Sequence, residues 1–180
     1  MIKECLDVGK VNSLSINANY QADPLALFQH LCQNKANTLL LESAEIDKKH
    51  QLKSILLTDA ALKLVCNGNQ VTATALTLNG QSVLAYLAET LQDKANVASV
   101  DDKTLVITFA NVSPEQDEKS RLLSPTPFTV LRQLQQITNL DHHDFGVFVG
   151  GAFAFDMMAT CEVLPQVPNG ENECPDYVFY

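Results

Sequence analysis

The 180 residues contain no C-x-x-C pair, no G-x-S-x-G turn and no glycine loop followed by Lys-Ser or Lys-Thr. A zinc knuckle, a serine-hydrolase elbow and a phosphate loop are therefore absent as motifs. Basic residues are scarce, 12 Lys plus Arg against 21 Asp plus Glu, which leaves a formal charge of -9. That balance repels phosphate backbones and anionic lipid, so neither nucleic acid nor a membrane is an expected partner. Long apolar runs are missing too. The stretch at 145–155 is about half the roughly 20 residues that a spanning helix needs. Residues 1–10 interrupt their apolar residues with Lys3, Glu4, Asp7 and Lys10, unlike the core of a signal peptide. A cytoplasmic protein is the expectation. Five cysteines, an odd number without paired spacing, read as reduced and mostly buried thiols.

What is present is globular composition: 46% hydrophobic and 18% charged residues, enough for one ordinary core. Asp23-Pro24 is a helix start, with Leu27, Phe28, Leu31 and Cys32 on one face and an end near Asn34. The compact run at 38–41 is too brief for a helix and reads as a buried strand stopping at Glu42-Ser43; 46–53 follows as surface loop. Strands are expected at 54–58, 61–66 and 71–76, with Asn67-Gly68 supplying the left-handed positions of a hairpin turn. Gly80 breaks that pattern. A helix at 81–92, marked by Val83, Leu84, Leu87 and Leu91, precedes a strand at 104–110.

An acidic, Pro-punctuated connector fills 113–125, and Thr126-Pro127 repeats the cap-then-proline arrangement ahead of a helix whose buried face is Phe128, Leu131, Leu134 and Ile137. After polar loop at 141–144, residues 145–155 read as a strand broken by Gly150-Gly151, a bulge or a close backbone approach. A long turn follows at 165–170. The chain ends on Tyr177-Val178-Phe179-Tyr180, an apolar strand with no closing turn, which suggests that the natural polypeptide continues. The expected fold class is α+β: a mainly antiparallel β-sheet with about three packed helices.

Little in these elements carries chemistry. Asp141-His142-His143-Asp144 has metal-ligand composition, but adjacent residues point apart and no second ligand group stands at a characteristic spacing. His30, His50, His142 and His143 lie in no triad context. No catalytic residue, metal site or cofactor is assigned to this chain. Glu42 and Ser43, a carboxylate and a hydroxyl at a strand end, either meet a small polar ligand at the sheet edge or face water.

Several segments, in order, resemble the anthranilate synthase component I family of chorismate-utilising enzymes. The segment Thr38-Leu39-Leu40-Leu41-Glu42-Ser43-Ala44-Glu45-Ile46 is similar to the family's L-L-E-S segment. Asp23-Pro24-Leu25-Ala26-Leu27-Phe28 resembles its first helix, Leu52-Lys53-Ser54-Ile55-Leu56-Leu57 the following strand, and Phe128-Thr129-Val130-Leu131-Arg132 a later helix. Gly150-Gly151-Ala152-Phe153-Ala154-Phe155-Asp156, Glu162-Val163-Leu164-Pro165 and Cys174-Pro175-Asp176-Tyr177 complete the match. Phe155 departs from it, because many relatives carry Tyr there.

The resemblance implies the amino-terminal region of such a subunit, an incomplete part of the chorismate-utilising fold. The chorismate and Mg2+ site would lie in a carboxy-terminal region outside this sequence, so the chain alone is expected to make no anthranilate. The L-L-E-S segment implies part of an allosteric pocket for L-tryptophan, with Leu41, Glu42 and Ser43 as pocket residues. Lys53 either faces the ligand's carboxylate or is an ordinary exposed lysine. Arg132 resembles a position that influences feedback, and its helix-face placement equally suits a structural ion pair. A glutamine amidotransferase subunit is the implied ammonia supplier. Two readings stay beside this one: aminodeoxychorismate synthase component I, which shares much of the architecture, and a stand-alone amino-acid-binding regulatory module.

Overall fold

The computed structural model describes residues 11, 15–43, 53–111, 113, 115–137, 146–155, 157 and 174–180. The loop expected at 46–53, apart from Lys53, the polar loop at 141–144 and the turn at 165–170 lie outside the described residues. Asp23 and Pro24 open α1 (Pro24–Cys32) as the sequence predicts. The Asp23 carboxylate accepts the Ala26 N–H at 2.9 Å, and Pro24 stands in the first turn, where a missing N–H is no loss. Gln33, left-handed at φ 46°, closes the helix.

β1 (Leu39–Glu42) and β2 (Ser54–Leu57) pair antiparallel as a separate two-stranded sheet. The run at 38–41 is thus a strand, but not a buried one, since Leu39 and Leu40 are half-buried and Leu41 is exposed. A two-stranded ribbon has too little surface of its own to bury its apolar residues.

All other strands among the described residues join one six-stranded sheet in the order β5-β6-β4-β3-β8-β7, with every neighbouring pair antiparallel. They are β3 (Leu62–Asn67), β4 (Gln70–Ala75), β5 (Asn96–Ser99), β6 (Thr104–Thr108), β7 (Gly151–Phe153) and β8 (Tyr177–Phe179). The expected hairpin is β3–β4. Its two-residue loop is Gly68-Asn69, because Asn67 still pairs with Gln70, and Gly68 alone is left-handed at φ 58°. Left-handed backbone at the first loop position only is the type II′ pattern, which needs glycine there.

α2 (Leu78–Leu91) begins earlier than the pattern suggests, because the Thr77 hydroxyl caps it by accepting the Gly80 N–H at 3.2 Å. Gly80 is therefore no breaker but a buried first-turn residue. A Cβ on it would fall 2.0 Å from the Ala61 carbonyl oxygen, so the close approach of α2 to the start of β3 excludes any side chain. α2 crosses from β4 to β5, and β6 fills the gap between them. Two elements were hidden from sequence: β5, and α3 (Glu118–Leu123) within the acidic connector, capped by Asp117 on the Ser120 N–H. The helices among the described residues are therefore four.

α4 (Phe128–Gln136) takes Pro127, not Thr126, at its N-cap position. The arrangement is reversed: the Thr129 hydroxyl accepts the Thr126 N–H at 3.0 Å. Its most buried residues are Val130, Gln133 and Leu134, with Phe128, Leu131 and Ile137 only partly buried. The apolar stripe is thus rotated by about one position from the expected one.

The core lies between one sheet face and the two longer helices of its layer. Leu62, Leu64, Cys66, Val71, Ala73, Ala75, Leu105, Ile107, Tyr177 and Phe179 alternate onto that face and meet Leu84, Leu87 and Leu91 of α2 and Val130 and Leu134 of α4. Tyr177, fully buried, donates its hydroxyl to the Pro127 carbonyl at 3.1 Å and so links β8 to the start of α4. β8 pairs with β3 on one side and β7 on the other. The close approach expected at the paired glycines is present: a Cβ on Gly151 would stand 2.0 Å from the Val178 carbonyl oxygen.

Candidate functional site

The residues singled out from sequence gather at the end of the β1–β2 ladder nearest the connection between the two strands. Leu41 stands opposite Ile55 and Glu42 opposite Ser54. One step further, the Ser43 main-chain N–H donates to the Lys53 carbonyl at 3.1 Å, so the pairing runs one residue beyond β1 and sets Ser43 against Lys53. Four of the five candidate residues are therefore neighbours. Arg132 is not among them. It lies on the exposed side of α4, and no hydrogen bond or ion pair joins it to those four or to any other side chain among the described residues. A structural ion pair for Arg132 is thus not formed there.

Strand alternation sorts the four. Successive side chains leave opposite faces, so Leu41, Ser43, Lys53 and Ile55 share one face, and Glu42 stands with Leu40, Ser54 and Leu56 on the other. All four candidates are exposed, Leu41 by 38%, and Ile55 beside them by 46%. One face thus offers an apolar pair, a small hydroxyl and a cation within two residues of each other. Such a surface suits a small zwitterion with an apolar side chain, the cation meeting a carboxylate and the leucine and isoleucine meeting the apolar body. The Glu42 carboxylate points away, and on this face only its main chain is available. The sequence placed Glu42 and Ser43 together without regard to that alternation.

The ladder is held at its other end. Leu39 packs beside Gly150 and Phe148, because a Cβ built on Gly150 would lie 2.8 Å from Leu39 Cδ2 and 2.6 Å from the Phe148 ring. Lys35, between α1 and β1, pairs with Asp59, beyond β2, at 2.9 Å. Both groups are exposed, so the pair orients the chain more than it stabilises it. The hydrogen bond and charge of Asp59 raise the Lys35 ammonium above its ordinary value, and Lys35 lowers the Asp59 carboxyl in turn.

Nothing among the described residues resembles a catalytic centre. No group of three or more His, Cys, Asp or Glu is placed to hold a metal ion among them. The three described cysteines are free, Cys32 and Cys66 buried and Cys174 exposed. Burial, and then the charge of Asp176, pushes the Cys66 thiol up to about 12, which keeps it protonated and inert. Burial also raises the Tyr177 hydroxyl, the neighbouring Cys66 adding to the effect. No helix among the described residues is long and apolar enough to cross a membrane.

No protein-family model matches the chain. Curated proteins do. It is 46% identical over 162 residues, 89% of its length, to anthranilate synthase component 1 of Vibrio cholerae. It is 39% identical over 178 residues, 98% of its length, to the protein of that name from Vibrio parahaemolyticus. The Escherichia coli protein of that name is 43% identical over 169 residues, 93% of the chain. The chain spans only about a third of the length of each of these relatives. Identity at this level, sustained over almost all of its residues, makes the chain similar to about a third of the length of proteins named anthranilate synthase component 1.

Proposed function

We propose that the chain is the amino-terminal region of the chorismate-utilising subunit of an anthranilate synthase, and that its β1–β2 ladder carries part of a feedback site for L-tryptophan. The observation that carries the reading is the match at 39–46% identity over 89–98% of the chain to proteins named anthranilate synthase component 1. The complete subunit converts chorismate and ammonia to anthranilate, pyruvate and water, with a glutamine amidotransferase subunit releasing the ammonia from glutamine. Chorismate and Mg2+ belong to the region outside this sequence. The described residues supply no ligand set for the ion. The 180 residues alone form no anthranilate.

The residues at the ladder's end have the chemistry that tryptophan needs. A free amino acid presents a carboxylate, an ammonium and, here, an indole. Lys53 supplies a cation to the carboxylate. Leu41 and Ile55 supply an apolar wall to the ring, and Ser43 a hydroxyl small enough to leave room beside it. The ammonium finds carbonyl oxygens at the end of the strands, with Glu42 contributing through its main chain. Tryptophan held there and against the remainder of the subunit favours a low-activity arrangement and so shifts a two-state equilibrium.

The test is the complete subunit assayed with its amidotransferase, following anthranilate fluorescence from chorismate and glutamine while L-tryptophan is titrated. Anthranilate formation that falls with tryptophan is the expected result. Formation of aminodeoxychorismate instead, or an activity indifferent to tryptophan, would sink the corresponding half of the proposal.

A further inference from the structure

Leu39, Leu41 and Ser43 leave β1 on the same face, so whatever seats Leu39 also sets where Leu41 and Ser43 stand. Leu39 is seated against a bare backbone. A Cβ on Gly150 would fall 2.8 Å from Leu39 Cδ2 and 2.6 and 2.8 Å from two carbons of the Phe148 ring. Carbon atoms in contact sit about 3.5–4.0 Å apart, so all three atoms would have to yield. Gly150 itself cannot move aside cheaply. It is buried, its N–H donates to the Tyr180 carbonyl at 3.0 Å, and its carbonyl accepts the Tyr180 N–H at 2.8 Å. The strain of an added methyl group therefore passes to the side-chain ends of Leu39 and Phe148.

Its neighbour behaves differently. A Cβ on Gly151 would meet main-chain atoms of β8, the Val178 oxygen at 2.0 Å and the Phe179 Cα at 2.7 Å. Of two adjacent glycines, Gly151 thus keeps the sheet ladder intact, whereas Gly150 keeps a side-chain seat open.

We propose that Gly150 is a positioning residue for the effector site: its missing side chain lets Leu39 and the Phe148 ring pack over it, and that seat fixes the β1–β2 face bearing Leu41, Ser43 and Lys53. The inference rests on the reading of that face as the tryptophan site. Gly150 touches none of the four site residues; it acts through Leu39.

The experiment compares Gly150→Ala with wild type in the complete subunit, with three readouts: the tryptophan concentration for half inhibition, kcat and KM for chorismate, and hydrogen exchange at the Ser43 amide. The expected result is a roughly fivefold or greater rise in the half-inhibitory concentration. It comes with faster exchange at Ser43, as the bond to Lys53 loosens, and with unchanged kcat and KM. Leu39→Ala, which empties the seat from the strand side, moves the same two quantities in the same direction and decides the matter should Gly150→Ala fail to fold. Wild-type inhibition and wild-type Ser43 exchange in either folded variant overturn the inference, as does a loss of kcat in proportion to the loss of inhibition. If tryptophan leaves the wild type uninhibited, the tryptophan reading falls, and the Ser43 exchange rate alone judges the seat.

Discussion

Ser43 and Lys53 are joined one step beyond the paired residues of a two-stranded ribbon by a 3.1 Å main-chain hydrogen bond, so a hydroxyl and an ammonium group leave the same face beside exposed Leu41 and Ile55. Everything proposed about regulation depends on the room left beside that pair.

Filling the room is the direct probe. Ser43→Phe in the complete subunit is expected to raise the half-inhibitory tryptophan concentration at least about tenfold, about 1.4 kcal/mol of lost binding, while kcat and KM for chorismate stay within about twofold. Steady-state anthranilate assays check it, and unchanged inhibition would remove Ser43 from the site.

Gly80→Ala sets two effects against each other. Alanine in a helix is favoured over glycine by about 1 kcal/mol. Here the new methyl group would stand 2.0 Å from the Ala61 carbonyl oxygen, which accepts the Leu76 N–H at 2.9 Å, and 3.1 Å from the Ala75 Cα. Main-chain atoms on both sides cannot yield as a side-chain end can, so the clash wins. A net destabilisation of about 1–3 kcal/mol is expected in urea unfolding.

Tyr177→Phe removes the hydroxyl that donates to the Pro127 carbonyl but keeps the ring in the core. That carbonyl retains the Val130 N–H at 3.3 Å, so it is not wholly orphaned. The cost is about 1 kcal/mol, seen as a lower urea midpoint with an unchanged slope.

The buried Cys66 thiol makes alkaline pH destabilising. Its folded value, about 12, exceeds the ordinary 9.0, so between those values the folded chain holds a proton that the unfolded chain has released. Stability is full below pH 9 and falls as pH rises toward 12, and Tyr177, also raised, adds to the fall above pH 10. Urea midpoints measured at pH 8 and pH 10 should therefore drop with pH, and Cys66→Ala should flatten the part of the drop nearest pH 9. In the folded chain at pH 8, a thiol reagent should label exposed Cys174 well before Cys66 or Cys32.

Local chemistry was legible wherever one short segment decided the outcome. Asp23-Pro24 announced α1, and the alternation on either side of Gly68 announced the β3–β4 hairpin. β5 escaped notice because Asn96, Ala98 and Ser99 are exposed and Val97 alone is half-buried, which leaves no apolar alternation to read. α3 buries no residue at all, so nothing in Glu118–Leu123 rises above the polar connector around it. The candidate site was legible only as a segment. That Lys53 lands beside Ser43 follows from the β1–β2 register, and that Glu42 turns away follows from the pleat. Neither can be counted off a sequence before the pairing is known. The seat of Leu39 was signalled by Gly150-Gly151 as a close approach, but the atoms that approach come from more than a hundred residues upstream in one case and from β8 in the other.

The position of β8 also sets an order of assembly. β7 has no neighbour among the described strands except β8, and β8 reaches the sheet through β3, so neither can dock until residues 177–179 arrive. β3, β4, β5 and β6 can zip together from contacts within a stretch of fewer than fifty residues, a fast and local event. Closing the far edge instead brings together groups such as Gly68 and Asp176, 108 residues apart. The seat beneath Leu39 is part of that late edge, so the ribbon that carries Ser43 acquires its footing only when β8 is in place.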